Sequence, residues 1–299
     1  MTNSRKIAIK NLKGSDEEMR VSWMLKNMNE NKTFKYLIKN EKLENHNILL
    51  KSLQERYKTY RSQWRGNAKF AIKNNLIEKR FNDSDIKPLC IDNETASVCD
   101  LACPHCYRQF IATPDKIMSK DLAFKLIDQA SKLNVPSMKF NWRGEPLLNP
   151  LLPEIIDYAK KRGVLETIIN TNATKLNLDM GKKIINSGLD LMIYSFDGGS
   201  KKSYEKMRPG RFKKNSFNEI YENILSFHKL KKKLKSTFPR TKIQMVLTKD
   251  TFAEQDEYFS LFKDIVDDVS VKQYTERGGK INDVGEEYLR SACGNENIE

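Results

Sequence analysis

Two different hydrophobic periods divide the chain. Before about residue 85 the apolar positions recur at helical spacing. Leu49, Leu53, Tyr57, Tyr60 and Trp64 follow one another at intervals of four, four, three and four, which lines one face of a helix. The stripe predicts a seam that docks a helical N-terminal extension, residues 1–85, onto a main domain. Gly66 and the polar run 81–85 predict the boundary between them. From Lys87 onward apolar runs of strand length alternate with amphipathic segments. Strands are predicted over 88–95, 137–142, 166–171, 191–196, 242–248 and 269–275. Helices are predicted over 119–133, 152–163, 177–187, 216–233 and 251–266. Ser119 is the expected N-cap of the first of these helices, and Gly163 and Gly188 are expected to stop the second and third. Strand, helix and parallel strand, repeated about six times, predict an α/β fold over residues 86–275, either barrel-like or doubly wound.

Composition narrows the class. The chain has 299 residues, 39% of them hydrophobic, which is enough to bury a core without disulfide staples. No apolar run is long enough to span a membrane. The opening residues 1–14 lack a long apolar stretch of secretory type, so the expected location is cytoplasmic and the five cysteines are expected as thiols or metal ligands. Net charge is +14, and residues 1–85 carry 19 Lys and Arg against 10 Asp and Glu. That excess suits a phosphate-bearing partner, a nucleotide-linked substrate or nucleic acid, and equally a solvated helical surface.

The chemistry-bearing pattern is Cys99-Asp-Leu-Ala-Cys103-Pro-His-Cys106, directly after the first predicted strand. Three thiolates on a tight loop can hold three irons of a cubane and leave the fourth iron open to an exogenous chelate. The competing reading is a structural zinc site, within a zinc-stabilised module that binds nucleic acid through the basic N-terminal region. Such loops are ordinarily closed by a fourth Cys or His. His105 is poorly placed to close the same centre, and Cys90 and Cys293 are distant in sequence.

Cys99, Cys103 and Cys106 resemble the signature of the radical S-adenosylmethionine superfamily. The resemblance implies a six-stranded partial (β/α) barrel and a catalytic 4Fe–4S cluster. The open iron would chelate the methionine moiety of S-adenosylmethionine, whose reductive cleavage gives a 5′-deoxyadenosyl radical. It also implies a reductant such as a flavodoxin or ferredoxin, and a small-molecule or peptide substrate. His105 occupies a position that is usually aromatic in the family and lies near the adenine. Trp142-Arg143-Gly144-Glu145-Pro146 is similar to the family's Gly-Gly-Glu-Pro motif, with Arg143 for the first glycine. This implies that Gly144 and Glu145 meet the cofactor's ammonium. Asn170-Thr171-Asn172-Ala173-Thr174 resembles a Thr-Asn-Gly turn in which Ala173 replaces glycine; Asn172 is a cofactor candidate, and Ala173 is expected at negative φ.

Ser195-Phe-Asp197-Gly198, with Tyr204 and Arg208, resembles the pattern of the subgroup that carries C-terminal SPASM or Twitch extensions. It implies Ser195 and Asp197 on ribose hydroxyls, and Arg208 on the methionine carboxylate or a helix end. These motifs end successive strands, where β/α barrels place their sites. The basic extension is then expected to pack on the barrel with its charge near the open mouth. Residues 276–299 are expected either to begin an auxiliary-cluster domain or, since Cys293 alone cannot furnish such a cluster, to go without one. Cys293 within them has three readings: an inert thiol, an auxiliary ligand, or a hydrogen-atom donor to a substrate radical.

Overall fold

The computed structural model describes residues 16–73, 88–112 and 114–274. Six strands form one sheet in sequence order: β1 Cys90–Asp92, β2 Ser137–Lys139, β3 Glu166–Thr171, β4 Leu191–Ser195, β5 Arg240–Leu247 and β6 Asp268–Gln273. All five pairings are parallel. An unbroken consecutive order is what a barrel winding produces, whereas a doubly wound sheet reverses at a switch point. β1 and β6 do not pair among the described residues, so the barrel is partial and open on one side.

Helices α1 Asp16–Lys26, α2 Lys32–Ile38 and α3 Leu43–Lys73 precede the sheet. Between or after the strands lie α4 Lys120–Lys132, α5 Leu152–Lys161, α6 Leu178–Ser187, α7 Lys201–Met207, α8 Phe217–Lys233 and α9 Gln255–Phe262. The caps follow from sequence. Ser119 accepts from Leu122 N, and Gly188 closes α6 in the left-handed region at φ 79°. Along β5 burial alternates residue by residue. Ile243 and Met245 join Met138, Ile169, Met192 and Ile156 in the core beneath the helices. Lys242, Gln244 and Val246 are therefore left on the concave face.

The boundary signal at Gly66 fails, because that residue lies inside α3, and residues 81–85 fall outside the described residues. An added Cβ at Gly66 meets nothing within 4 Å. Gly66→Ala is therefore expected to stabilise the protein by up to about 1 kcal/mol, seen as a rise of a few degrees in melting temperature. An unchanged or lower value would mean that the glycine serves the helix in some other way.

The predicted apolar seam is present: Leu53, Tyr57 and Tyr60 are buried, while Trp64 at its end is exposed. Its placement corrects the expectation of charge at the mouth. The extension binds the opposite end of the barrel, where β3 and β4 begin. Asn31 Nδ2 donates to Asp190 Oδ1 at 2.6 Å, and Thr33 Oγ1 donates to Val164 O at 2.6 Å. Arg20, Tyr57 and Tyr60 all reach the carboxylate of Glu166, the first residue of β3. Arg20 is drawn there because the barrel base offers a buried acid, and a second such acid, Asp190, is met at 2.7 Å by Lys160 of α5 in the barrel itself. Residues 276–299, with Cys293, fall outside the described residues.

Candidate functional site

The cysteine loop leaves β1 and is pinned from both sides. Ala102 N donates to Pro209 O at 2.8 Å, and Leu101 bridges Gly210 in antiparallel fashion. Arg108 donates from Nε to Ser97 O at 2.9 Å and pairs with Asp115. Cys106 N donates to Cys103 O at 3.0 Å, closing a turn between the last two thiols. Cys103 is buried; Cys99 and Cys106 are half-buried. Burial, reinforced by the Glu145 carboxylate and by Cys103, pushes the Cys99 thiol up to about 12. Burial also pushes Cys103 to about 12, against the pull of Arg208 and with Cys106 adding to the rise. Each thiol is thus within electrostatic reach of the next, and iron binding must displace their protons.

This arrangement fits a cluster. Among the described residues no three His, Cys, Asp or Glu side chains are gathered about a single point. A cubane does not require that, since it takes each thiolate on a different iron.

Gly144 and Glu145 dock directly on that loop. A Cβ at Gly144 would lie 2.1 Å from Ala96 O and 2.6 Å from Val98 O, so only glycine permits the approach. Glu145 N donates to Val98 O at 2.9 Å. The Glu145 carboxylate is buried and already engaged. Oε1 accepts from Leu147 N at 3.0 Å and from Thr171 Oγ1 at 2.6 Å, and Oε2 accepts from Asn172 N at 2.7 Å. Burial lifts this group to about 7 in spite of those bonds. Arg143, in the place of a glycine, makes a two-pronged bond to Glu94, with Nε at 3.0 Å and Nη2 at 2.7 Å.

The turn after β3 departs from expectation. Ala173 sits at φ 62°, in the left-handed region, and not at negative φ. Three bonds hold the turn against a local cost of about 1–2 kcal/mol. Ala173 N donates to Thr171 Oγ1, Asn223 Nδ2 donates to Ala173 O, and Thr174 N donates to Asn172 Oδ1, each at 3.0 Å.

The structure also brings together Asp197, Arg208 and His105. Asp197 Oδ1 accepts from Val246 N at 2.7 Å, while Oδ2 lies 2.7 Å from Arg208 Nη2 and 3.2 Å from His105 Nε2. Burial alone would raise this carboxyl; Arg208 and His105 hold it well below the usual range. Asp197 and Arg208 therefore face each other. Ser195 ends β4 half-exposed on the concave side.

Sequence reasoning missed Asp100, which accepts from Asn172 Nδ2 at 2.9 Å and from Thr174 Oγ1 at 2.6 Å. It also missed Glu254, whose carboxylate accepts from Gly199 N at 2.7 Å and from Ser200 Oγ at 2.7 Å, fixing the loop beyond Asp197. Asp100 lies inside the cysteine pattern and could have been read as its polar brace. Glu254 carries no local signal. A cavity of about 190 Å³ lined by Lys32, Lys35, Asn186 and Thr237 lies at the barrel base, away from the cysteines.

Residues 93–261, more than half of the chain, match the family model described as "Radical SAM superfamily". The Fe-coproporphyrin III synthase of Methanosarcina barkeri is 33% identical over 124 residues, 38% of this chain and 28% of that protein. The tungsten-containing aldehyde ferredoxin oxidoreductase cofactor-modifying protein of Pyrococcus furiosus is 35% identical over 107 residues, 35% of this chain and 29% of that protein. A probable GTP 3′,8-cyclase of Methanococcus maripaludis is 31% identical over 113 residues, 38% of this chain and 37% of that protein. The chain thus matches about a third of the length of these curated relatives. Among solved structures, Streptococcus suis SuiB bound to S-adenosylmethionine superposes with a TM-score of 0.53 at 17% identity, covering 80% of this chain and 49% of SuiB. At that identity the likeness concerns the fold.

Proposed function

The chain belongs to the radical S-adenosylmethionine superfamily, and from that premise we propose that it is an enzyme holding a 4Fe–4S cluster on Cys99, Cys103 and Cys106. The observation that carries this reading is the convergence of three strand ends on one cysteine loop: Gly144 against Val98, Asn172 beside Cys99, and Asp197 on His105. When bound, the cluster and S-adenosylmethionine would supply a one-electron cleavage that generates a hydrogen-abstracting radical. This chain's residues hold and shield that chemistry. Ser195 and the main chain around Gly144 and Asn172 meet the cofactor, while Glu145, Asp197 and Arg208 stand behind them and fix their positions.

The substrate we favour is phosphorylated, nucleotide-linked or sugar-type. Asn170 Oδ1 and Gln244 Oε1 are buried without a partner, and by the alternation along β3 and β5 both lie on the concave side with half-buried Lys139 and with Lys242, which is paired with Asp268 at 3.0 Å. Such a wall suits a polar, donor-bearing and anionic molecule. One relative's printed name, GTP 3′,8-cyclase, points to the same chemistry. A peptide substrate is the second reading, favoured by the Ser195–Arg208 pattern. A flavodoxin or ferredoxin is the proposed electron donor. Residues 1–85 and 86–275 are proposed as extension and barrel, with 276–299 leading into an auxiliary-cluster domain.

Anaerobic reconstitution should give about four irons and four sulfides per chain, with absorbance near 400 nm. Adding dithionite and S-adenosylmethionine should release 5′-deoxyadenosine. Replacing Cys99, Cys103 and Cys106 together by alanine should abolish both results. Retention of the iron by that triple variant, or a wild-type protein that takes up zinc alone, would overturn the reading.

A further inference from the structure

We propose that Asn172 tunes the cluster site: its side-chain amide donates an N–H···S hydrogen bond to Cys99 and thereby raises the reduction potential of the cluster held there. This rests on the reading of Cys99 as a cluster ligand and goes beyond it, by giving Asn172 a role toward the thiolate.

The geometry is determined on every side. A carboxamide nitrogen carries two hydrogens. One goes to Asp100 Oδ1 at 2.9 Å, and the other faces Cys99 Sγ at 3.9 Å. The amide oxygen is committed as well, accepting from Thr174 N at 3.0 Å. Flipping the amide would set its oxygen against the Asp100 carboxylate and its nitrogen against a backbone donor, so the N–H must point at sulfur. The supports are themselves braced. Thr174 Oγ1 donates to the other Asp100 oxygen at 2.6 Å, Asp100 O accepts from Arg211 N at 2.8 Å, and Asn172 N is fixed by Glu145. The left-handed Ala173 turns the chain so that Thr174 can reach back.

Asn172 is 5% exposed, so water does not compete for the contact. Donors to a thiolate stabilise the more negative, reduced form of a cluster, and the effect is larger away from water. The first cysteine of the loop therefore carries an N–H donor supplied by the residue that follows β3.

The test uses the reconstituted full chain without S-adenosylmethionine, titrated potentiometrically and followed by the electron paramagnetic resonance of the reduced cluster. In Asn172→Ala and Asn172→Asp the oxidised-to-reduced ratio at a fixed potential should rise about three- to tenfold, where tenfold corresponds to about 59 mV for one electron. Titration curves that coincide with the wild type in both variants would overturn the proposal. If neither variant assembles a cluster, the wild type decides. Protein labelled with ¹⁵N in the asparagine side chains should show a weak ¹⁵N coupling to the reduced cluster, and its absence overturns the proposal. A wild-type chain that takes up no cluster at all would instead sink the parent reading.

Discussion

Glu166→Ala should lower the melting temperature by about 10 °C or more, and most of that loss should come from undocking the N-terminal helices. Glu166 is fully buried at the start of β3 and takes two contacts from Arg20, with Nε at 3.0 Å and Nη2 at 2.6 Å. Tyr57 and Tyr60 donate to it at 3.0 and 3.2 Å, and Arg61 lies 3.8 Å away. Removing the acid leaves the Arg20 guanidinium and the Tyr57 and Tyr60 hydroxyls without their partner while Arg61 keeps Glu17, a loss of about 3–5 kcal/mol.

The same group links stability to pH. Burial would raise Glu166, but Arg20 and Arg61 outweigh it and hold the group below its ordinary 4.5. A depressed carboxyl contributes stability that is fully present above its unfolded value and is lost as pH falls through the folded one. The wild-type margin over Glu166→Ala should therefore be constant near neutrality and shrink below about pH 4.5. A margin that is small at pH 7, or that grows on acidification, would show that the cluster does not hold the helices. β3 separates Glu166 from Thr171 by about 17 Å, so variant protein that remains folded should keep its cluster spectrum.

What the sequence made legible is what period and punctuation encode. The expected strand 166–171 coincides with β3, Ser119 caps through its hydroxyl, and Gly188 caps through its freedom at positive φ. The expected strand 88–95 shortens to Cys90–Asp92, because beyond it the chain leaves the ladder to reach the cysteine loop. Helix α7 escaped notice: it has only seven residues, and its start rests on Ser200, Ser203 and the remote Glu254.

The site residues divide along the same line. Cys99, Cys103 and Cys106 are a local pattern and were readable as such. The donors Val246 to Asp197 and Thr171 to Glu145 were not, because each lies tens of residues away. The motif names the carboxylate, and only the folded chain supplies the donors that orient it. Ala173 makes the converse point. Intrinsic preference set it at negative φ, and one tertiary bond from Asn223, with two local side-chain bonds, overruled the preference.

Gly144→Ala should abolish or severely reduce cluster assembly while leaving a folded barrel. The added methyl would sit 2.1 Å from Ala96 O, 2.6 Å from Val98 O and 2.7 Å from Ser97 C. These are backbone atoms of the segment that leads into Cys99, so no side-chain rotation can relieve the overlap. Either this strand-end loop moves away or the 96–98 segment does. Both breaks release the bond from Glu145 N to Val98 O, at 2.9 Å, that holds the two together. The core beneath the sheet lies on the other face of β2 and β3, around Met138 and Ile169, so global folding should suffer less than the loop. Overpacking of this kind costs about 1–3 kcal/mol, which predicts a fall of several degrees in melting temperature. Iron content should drop from about four per chain to below about one, since a cubane needs all three thiolates in place. Gly66→Ala serves as the control, because a methyl there meets nothing and full iron content should be retained. A Gly144→Ala protein with a complete, spectroscopically normal cluster would show that the cysteine loop assembles without this contact. The glycine would then belong to the turn alone.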